Sequence, residues 1–178
     1  MPQIDDAQIQ SWCLFEDQFF WVCNKPRGIA VQQGTGTEQS LDVALKHYSA
    51  RNNRPLIRLG HRLDKDTTGV LVCPKTRDSA EIFRQQMHDK KIDKTYIAVM
   101  HGWVCQTDGE IKRALHIDGK LVKATSRYHI IKTTKKYTVA VLQAVTGRKR
   151  QLRSHCRALN TQTPVSYTHL TLPTIYSV

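Results

Sequence analysis

The densest cluster of polar side chains lies between residues 61 and 69, directly before an apolar run. In this cluster the carboxylate of Asp64 is flanked by Arg62 and Lys65. Nearby positive charge favours the ionised form of a carboxylate, which is the form suited to nucleophilic or general-base catalysis. The cluster therefore predicts a catalytic carboxylate. Turns before buried strands also carry Asp, Thr and Gly for backbone hydrogen bonding alone, so this second interpretation stays open.

A metal site is a further interpretation of the same cluster. Asp64 and Asp66 could both be metal ligands, as a metal-dependent nuclease that cleaves RNA would require. No third carboxylate or histidine has a matching spacing, and the sequence contains no C-x-x-C pair. We therefore predict a site that works without a metal ion.

A second cluster, between Thr146 and Arg157, concentrates positive charge. Four of the six residues from 148 to 153 are basic: Arg148, Lys149, Arg150 and Arg153. A helix over residues 150–159 would place apolar side chains on one face and Arg150, Arg153 and Arg157 on another. Gly147, just before that helix, would offer free backbone N–H groups to an anion. A solvated surface helix has a similar composition, but a basic face backed by an apolar one favours contact with phosphates.

Length and composition limit the class of protein. The chain has 178 residues, enough for one domain with its own core, and a net charge of +12 that favours polyanionic partners. No apolar run approaches the roughly 18 residues of a membrane span, and no signal-peptide pattern begins the chain. The five cysteines are widely spaced, which is typical of a reducing compartment. We expect a cytoplasmic protein that does not associate with a membrane.

Hydrophobic periodicity predicts the elements that position the two clusters. Strands are expected over 19–23, which runs into a turn at 24–26, over 69–73, over 96–100, and as a pair within 121–145. In the last strand, alternation at Tyr137, Val139, Val141, Gln143 and Val145 predicts a half-buried antiparallel strand. Helices are expected from an N-cap at Ser40, from an N-cap at Asp78 or Ser79, and over 150–159. These elements predict a strand-rich α+β domain.

Four stretches resemble motifs of the RluA-type pseudouridine synthases, in the same order and with similar separations, over roughly residues 12–160. Residues 24–28 resemble N-K-P-x-G, and residues 94–99 resemble a K-x-Y-x-A strand. Residues 61–69 resemble H-R-L-D-x-x-T-S-G, with Thr68 where Ser is usual. Residues 146–155 resemble T-G-R-x-H-Q-[IL]-R-x-H, with Arg150 in place of the first His.

The resemblance implies an α+β pseudouridine synthase catalytic fold, with a mostly antiparallel mixed sheet flanked by helices and loops. It implies an isomerase that converts uridine to pseudouridine in structured RNA and uses no cofactor or metal ion. Ribosomal RNA of the large subunit is the favoured substrate, and tRNA is the alternative. We expect a monomer. A non-catalytic RNA-binding relative, kept for its basic surface, is the rival function.

The resemblance also assigns roles to residues. Asp64 is the catalytic aspartate, which attacks the sugar or the base, and Tyr96 packs on the target base. Arg153 pairs with Asp64, and Arg62 enters the RNA stack to hold the uridine out of it. The remaining residues implied to bind RNA are Lys25, His61, Thr67, Arg148, Lys149, Arg150 and Arg157.

The end of the chain differs in composition from the rest, since residues 158–178 contain no Lys, Arg, Asp or Glu. We expect residues 1–163 to be a catalytic domain that is incomplete at its C-terminus, without the S4-like RNA-binding domain of longer relatives. Residues 164–178 are an atypical tail, for which two interpretations stay open. They are a natural edge strand, or a foreign sequence joined to an incomplete gene.

Overall fold

The computed structural model describes residues 4–34, 39–159 and 173–175. The chain divides into two compact units between Lys91 and Ile92, and each contains antiparallel strand pairs. Helices and antiparallel strand pairs are both present, so the predicted α+β class is confirmed. No helix in the described ranges is both long and apolar enough to cross a membrane.

The first unit contains a three-stranded antiparallel sheet in the order β1–β2–β3. The strands are β1 Cys13–Glu16, β2 Phe20–Lys25 and β3 Thr68–Pro74, and the helices are α1 Asp6–Ser11, α2 Leu41–Arg51 and α3 Arg77–His88. Trp21 pairs with Cys73 and Cys23 pairs with Leu71, and all four side chains are buried. Because successive strand residues point to opposite faces, these pairs form the buried face of the sheet.

The second unit contains a larger antiparallel sheet in the order β10–β4–β9–β8–β5, and a separate hairpin, β6–β7. Its elements are β4 Thr95–His101, β5 Asp108–Lys112, β6 Leu115–Ile117, β7 Lys120–Val122, β8 Thr125–Thr133, β9 Tyr137–Ala144, α4 Gln151–Leu159 and β10 Pro173–Ile175. Helix α4 packs on β9, where Leu152 and Cys156 join a core that includes Ala98, Ala140 and Leu142.

Two local predictions are corrected by the structure, and a third is confirmed. Helix α3 begins after Thr76, whose hydroxyl accepts from the amide of Ser79 in a capping box, so neither Asp78 nor Ser79 is the N-cap. Ser40 is the N-cap residue of α2 as predicted, but its hydroxyl donates to the Asp42 carboxylate and accepts no hydrogen bond from the helix backbone. Strand β2 continues to Lys25, through the residues for which a turn was predicted.

The alternation in β9 has the predicted period but the opposite buried face. Thr138, Ala140, Leu142 and Ala144 are buried, whereas Tyr137 is half exposed and the valines between are only partly buried. Ala140 and Leu142 share their core cluster with Leu152 and Cys156 of α4, so the buried face of β9 is the one that α4 covers. Of the atypical tail, the structure describes only β10, which pairs with β4 through Thr174–Tyr96 and Ile175–Thr95. The rest of residues 164–178 lies outside the described ranges.

Candidate functional site

A turn directly before β3 presents Asp64. The amide of Thr67 donates to the main-chain oxygen of Asp64 at 3.0 Å, which closes the turn. Leu63 and Thr67 are buried on either side, whereas Arg62 and Lys65 are exposed and Asp64 is intermediate. Two buried anchors therefore hold a partly accessible carboxylate between exposed cations.

Thr67 does not fit its predicted contact with RNA. Its side chain is only 3% exposed, so it serves to anchor the turn in the interior of the first unit. A composition of Asp, Thr and Gly does not reveal which residues of such a turn are buried.

Lys25 lies behind this turn as a buried cation. Its side chain has no exposed surface, and its ammonium donates to the main-chain oxygens of Pro26 (2.8 Å), Ile29 (2.9 Å) and Lys65 (3.1 Å). These bonds use all three N–H donors of the group. The structure therefore corrects the prediction that Lys25 contacts RNA: it joins the loop after β2 to the Asp64 turn. The amide of Gly28 donates to the same Lys65 oxygen at 2.9 Å.

The electrostatics of Lys25 also connect it to the turn. Burial lowers the pKa of Lys25 to about 8, and the charges of Cys23, Asp66 and Asp64 act in the opposite direction. The buried ammonium is therefore attracted to the carboxylate that the sequence predicts to be catalytic. This attraction supports the turn from inside the unit, in addition to the three hydrogen bonds.

We expect Lys25→Met to lower the free energy of unfolding by about 2–4 kcal/mol, because partly buried carbonyls lose their donor and each unsatisfied buried group costs roughly 1–3 kcal/mol. Urea unfolding of the variant and the wild type measures the effect. Lys65→Met is the matched control, since Lys65 is exposed and contributes to this network only through its main-chain oxygen. Equal unfolding midpoints for the two variants would contradict the assigned role.

The side chain of His61 contacts residues of the first unit. Its Nε2 accepts from the amide of Val72 at 3.0 Å, and its ring lies 5.9 Å from that of Phe83. Gly60 precedes it with no room for a side chain, because a Cβ there would lie 2.6 Å from the Val72 oxygen. His61 thus binds the segment before the turn to β3. An RNA contact by this residue stays a prediction.

Tyr96 and Arg153 both belong to the second unit. Tyr96 on β4 is paired with Leu142 of β9, and its partly buried side chain packs against the core. Arg153 on α4 is partly buried, and Arg157, one turn later, is exposed. Tyr96 and Arg153 belong to a different unit from Asp64 and Arg62. The pairing of Arg153 with Asp64 stays a prediction.

The basic segment before α4 differs from its predicted arrangement. Helix α4 begins at Gln151, and Arg150 has a left-handed backbone (φ 55°), so Arg150 does not share a helix face with Arg153 and Arg157. The amide of Arg148 is already bonded to Gln151 Oε1 at 3.0 Å and is not available to an anion. Arg148, Lys149 and Arg150 nevertheless all have exposed side chains, as RNA-binding residues require.

Two buried polar residues of α4 escaped the sequence analysis. Gln151 and His155 are 3% and 1% exposed, and both bond to Ser126 at the start of β8. The available signal was their spacing of four, which places two polar groups on one helix face beside the apolar Leu152 and Cys156. Within the described part of the chain, no group of three or more His, Cys, Asp or Glu side chains could hold a metal ion.

Comparisons with known proteins find matches over the part of the chain that contains the four motifs. Residues 19–158 match the family described as RNA pseudouridylate synthase. The chain is 32% identical to ribosomal large subunit pseudouridine synthase C of Buchnera aphidicola subsp. Baizongia pistaciae, over 83% of this chain and 50% of the relative. It is 33% identical to synthase D of Borreliella burgdorferi, over 83% of this chain and 51% of the relative. The chain thus spans about half the length of the curated relatives it matches.

Solved structures share the fold. Human RNA pseudouridylate synthase domain containing 4 matches with a TM-score of 0.71 and 24% identity, over 84% of this chain and 65% of that one. Human RNA pseudouridylate synthase domain containing 1 matches with a TM-score of 0.68 and 19% identity, over 90% of this chain and 75% of that one. At these identities the likeness concerns the fold, and it agrees with the fold that the four motifs implied.

Proposed function

The chain belongs to the RNA pseudouridylate synthase family, and on that premise we propose that it isomerises uridine to pseudouridine in structured RNA. The reaction breaks the bond between N1 of the base and C1′ of the sugar and forms a bond from C5 to C1′. The proton leaves C5 and N1 gains one, so the step needs no oxidant or reductant. The observation that carries the proposal is the family match over residues 19–158, which contains all four motifs and the Asp64 turn.

Asp64 is proposed as the nucleophile, which attacks the sugar or the base. The turn supports this role because Leu63 and Thr67 anchor it on both sides and leave the carboxylate partly accessible. A uridine inside a helix hides its glycosidic bond, so the nucleotide must be flipped out at a cost of a few kcal/mol. Arg62, exposed beside Asp64, is proposed to enter the gap and hold the uridine out.

Tyr96 and Arg153 are the further residues that we propose to take part in the reaction. Tyr96 packs on the flipped base and assists removal of the C5 proton, and Arg153 keeps the Asp64 carboxylate anionic and oriented. An arginine suits this role because its planar guanidinium can bind both oxygens of a carboxylate. The exposed cations Arg148, Lys149, Arg150 and Arg157 are proposed to contact flanking phosphates.

The proposed substrate is large-subunit ribosomal RNA, because the similar relatives from Buchnera and Borreliella carry that substrate in their names. We further propose that the protein acts in the cytoplasm as a monomer and without a cofactor. Free cysteines at all five positions agree with a reducing compartment.

The test uses transcripts of large-subunit ribosomal RNA and of tRNA that carry tritium at C5 of uridine. Isomerisation releases the label, and we expect release from ribosomal RNA well above that from tRNA. Release from tRNA alone would contradict the proposed substrate. Binding of ribosomal RNA without release would favour a non-catalytic RNA-binding protein, and strand cleavage that EDTA abolishes would favour a nuclease. Either of the last two results would overturn the proposed activity.

A further inference from the structure

A chain of buried hydrogen bonds in the second unit joins β8, α4 and the strand connection at Arg113. Gln151 Nε2 donates to Ser126 Oγ at 2.9 Å, Ser126 Oγ lies 2.9 Å from His155 Nδ1, and His155 Nε2 lies 3.1 Å from the main-chain oxygen of Arg113. All three side chains are almost inaccessible, with Ser126 at 0%. Such a network is stabilising only if every member has a partner.

The donor and acceptor roles along this chain are determined by its two ends. The Arg113 carbonyl can only accept, so His155 Nε2 carries a hydrogen. The Gln151 amide nitrogen can only donate, so the Ser126 oxygen accepts there. Burial lowers the pKa of His155 and so favours its neutral form. In that form the proton of His155 is on Nε2, and the Ser126 hydroxyl donates to Nδ1.

The orientation of the Gln151 amide is fixed independently. Its oxygen accepts from the Thr146 hydroxyl at 2.7 Å and from the Arg148 amide at 3.0 Å. Its nitrogen donates to the Thr125 carbonyl at 2.8 Å as well as to Ser126. A main-chain amide and a main-chain carbonyl permit only one assignment of the side-chain nitrogen and oxygen. All four hydrogen-bonding sites of Gln151 are thus occupied.

We propose that Ser126, Gln151 and His155 are positioning residues that set the register of α4 and thereby place Arg153 for the reaction, an inference that rests on the proposed function. Arg153 lies midway between Gln151 and His155 in the helix. The apolar contacts of Leu152 and Cys156 hold the helix on the sheet, but hydrophobic contact is not directional. The hydrogen bonds of Gln151 and His155, on both sides of Arg153, are directional and therefore set the register of the helix.

The same series of hydrogen bonds connects α4 to the segment just before the β6–β7 hairpin. Arg113 lies between β5 and β6, and its carbonyl receives the last bond of the chain. A second tie runs from Arg148 Nε to the Lys123 oxygen, just after β7, at 3.4 Å. Helix α4 is therefore bonded to the segment before the hairpin, and the residues just before α4 are bonded to the segment after it.

The test compares Ser126→Ala with Thr138→Ala. Thr138 is the matched control, because it is equally buried in the same sheet and its hydroxyl donates at 2.8 Å to the main-chain oxygen of Gly102, which is not part of α4. We expect both variants to lose stability. Only Ser126→Ala should lose kcat, by about tenfold to a hundredfold, since misplacing a reacting group by about 1 Å costs up to about a hundredfold. Its KM for RNA should stay within about twofold, and Ser126→Thr should restore kcat.

Nitrogen-15 NMR provides a readout that does not depend on activity. In the wild type we expect His155 to show a protonated Nε2 and an acceptor Nδ1, and the Arg153 amide to shift in Ser126→Ala but not in Thr138→Ala. Equal losses of kcat in the two variants, an Nδ1-protonated His155, or an unmoved Arg153 amide would each overturn the positioning role. A wild type that releases no tritium but passes the NMR test would instead overturn the proposed function alone.

Discussion

Asp64→Asn is expected to reduce tritium release from C5-labelled uridine by about 10³-fold or more. Asparagine has nearly the same size as aspartate but lacks the negative charge, so it cannot serve as the nucleophile. A thousandfold loss corresponds to about 4 kcal/mol in the activation barrier. The fold should persist, because the turn is closed by main-chain atoms, from the Thr67 amide to the Asp64 oxygen. Single-turnover release on ribosomal RNA measures the rate, and urea unfolding confirms that the variant is folded.

Asp66→Asn provides the matched control for this experiment. Asp66 lies two residues later on the same turn, half exposed, with its carboxylate 3.8 Å from Arg27 Nε. An exposed ion pair of this kind contributes only about 0–1 kcal/mol to stability. Asp66 has no proposed role in the reaction, so we expect its loss to leave the rate nearly unchanged. If the two variants lose activity equally, Asp64 has no special role and the turn acts as a whole. If Asp64→Asn retains wild-type activity, the proposed mechanism is wrong.

Arg153→Met is expected to lower kcat by about a hundredfold with little change in KM. The proposed role of Arg153 is to hold the reacting carboxylate, and one misplaced reacting group can cost about that factor. Methionine retains the aliphatic part of the side chain, so the partly buried position stays filled. Arg153→Lys should recover little, because an ammonium lacks the planar fork that binds two carboxylate oxygens.

Arg157→Met on the same helix distinguishes catalysis from binding. Arg157 is exposed one turn after Arg153 and is proposed to contact a phosphate. Its loss should raise KM and reduce the salt dependence of RNA affinity by about one phosphate contact, with kcat nearly unchanged. Steady-state kinetics at several salt concentrations separate the two parameters. If both variants alter KM alone, Arg153 is another RNA-binding residue and its pairing with Asp64 is refuted.

Local patterns were sufficient for the Asp64 turn and for the strand that follows it. A dense polar cluster before a continuous apolar run predicts a turn and a buried strand, and β3 at Thr68–Pro74 confirms the strand. The four motifs were likewise sufficient for the family, because their order and separations are properties of the sequence itself. The same holds for the basic character of residues 148–157, whose side chains at 148–150 are exposed.

Which face of an element is covered was decided only by packing. The alternation of β9 indicates a strand with two unlike faces, but the covered face depends on where α4 lies, and it is the one with Ala140 and Leu142. The position of Arg150 relative to α4 was likewise decided by local contacts that the sequence pattern does not show. Periodicity suggested that it shares a face with Arg153, whereas the helix begins one residue later, where Gln151 bonds back to Arg148.

Buried polar groups were beyond the reach of the sequence because their partners are main-chain atoms from distant segments. In the sequence, Lys25 is only a lysine next to a proline. In the structure, its ammonium donates to the main-chain oxygens of Ile29 and Lys65. In the sequence, His155 is one of eight histidines. In the structure, its ring is hydrogen-bonded to Ser126, which lies 29 residues earlier. The sequence alone determined the family and the reacting carboxylate that we propose. Only the tertiary structure decided which cations face solvent and which polar groups hold the site in place. The physical reason is that every residue has a main-chain carbonyl, so the residue types do not indicate which carbonyl will accept a given hydrogen bond.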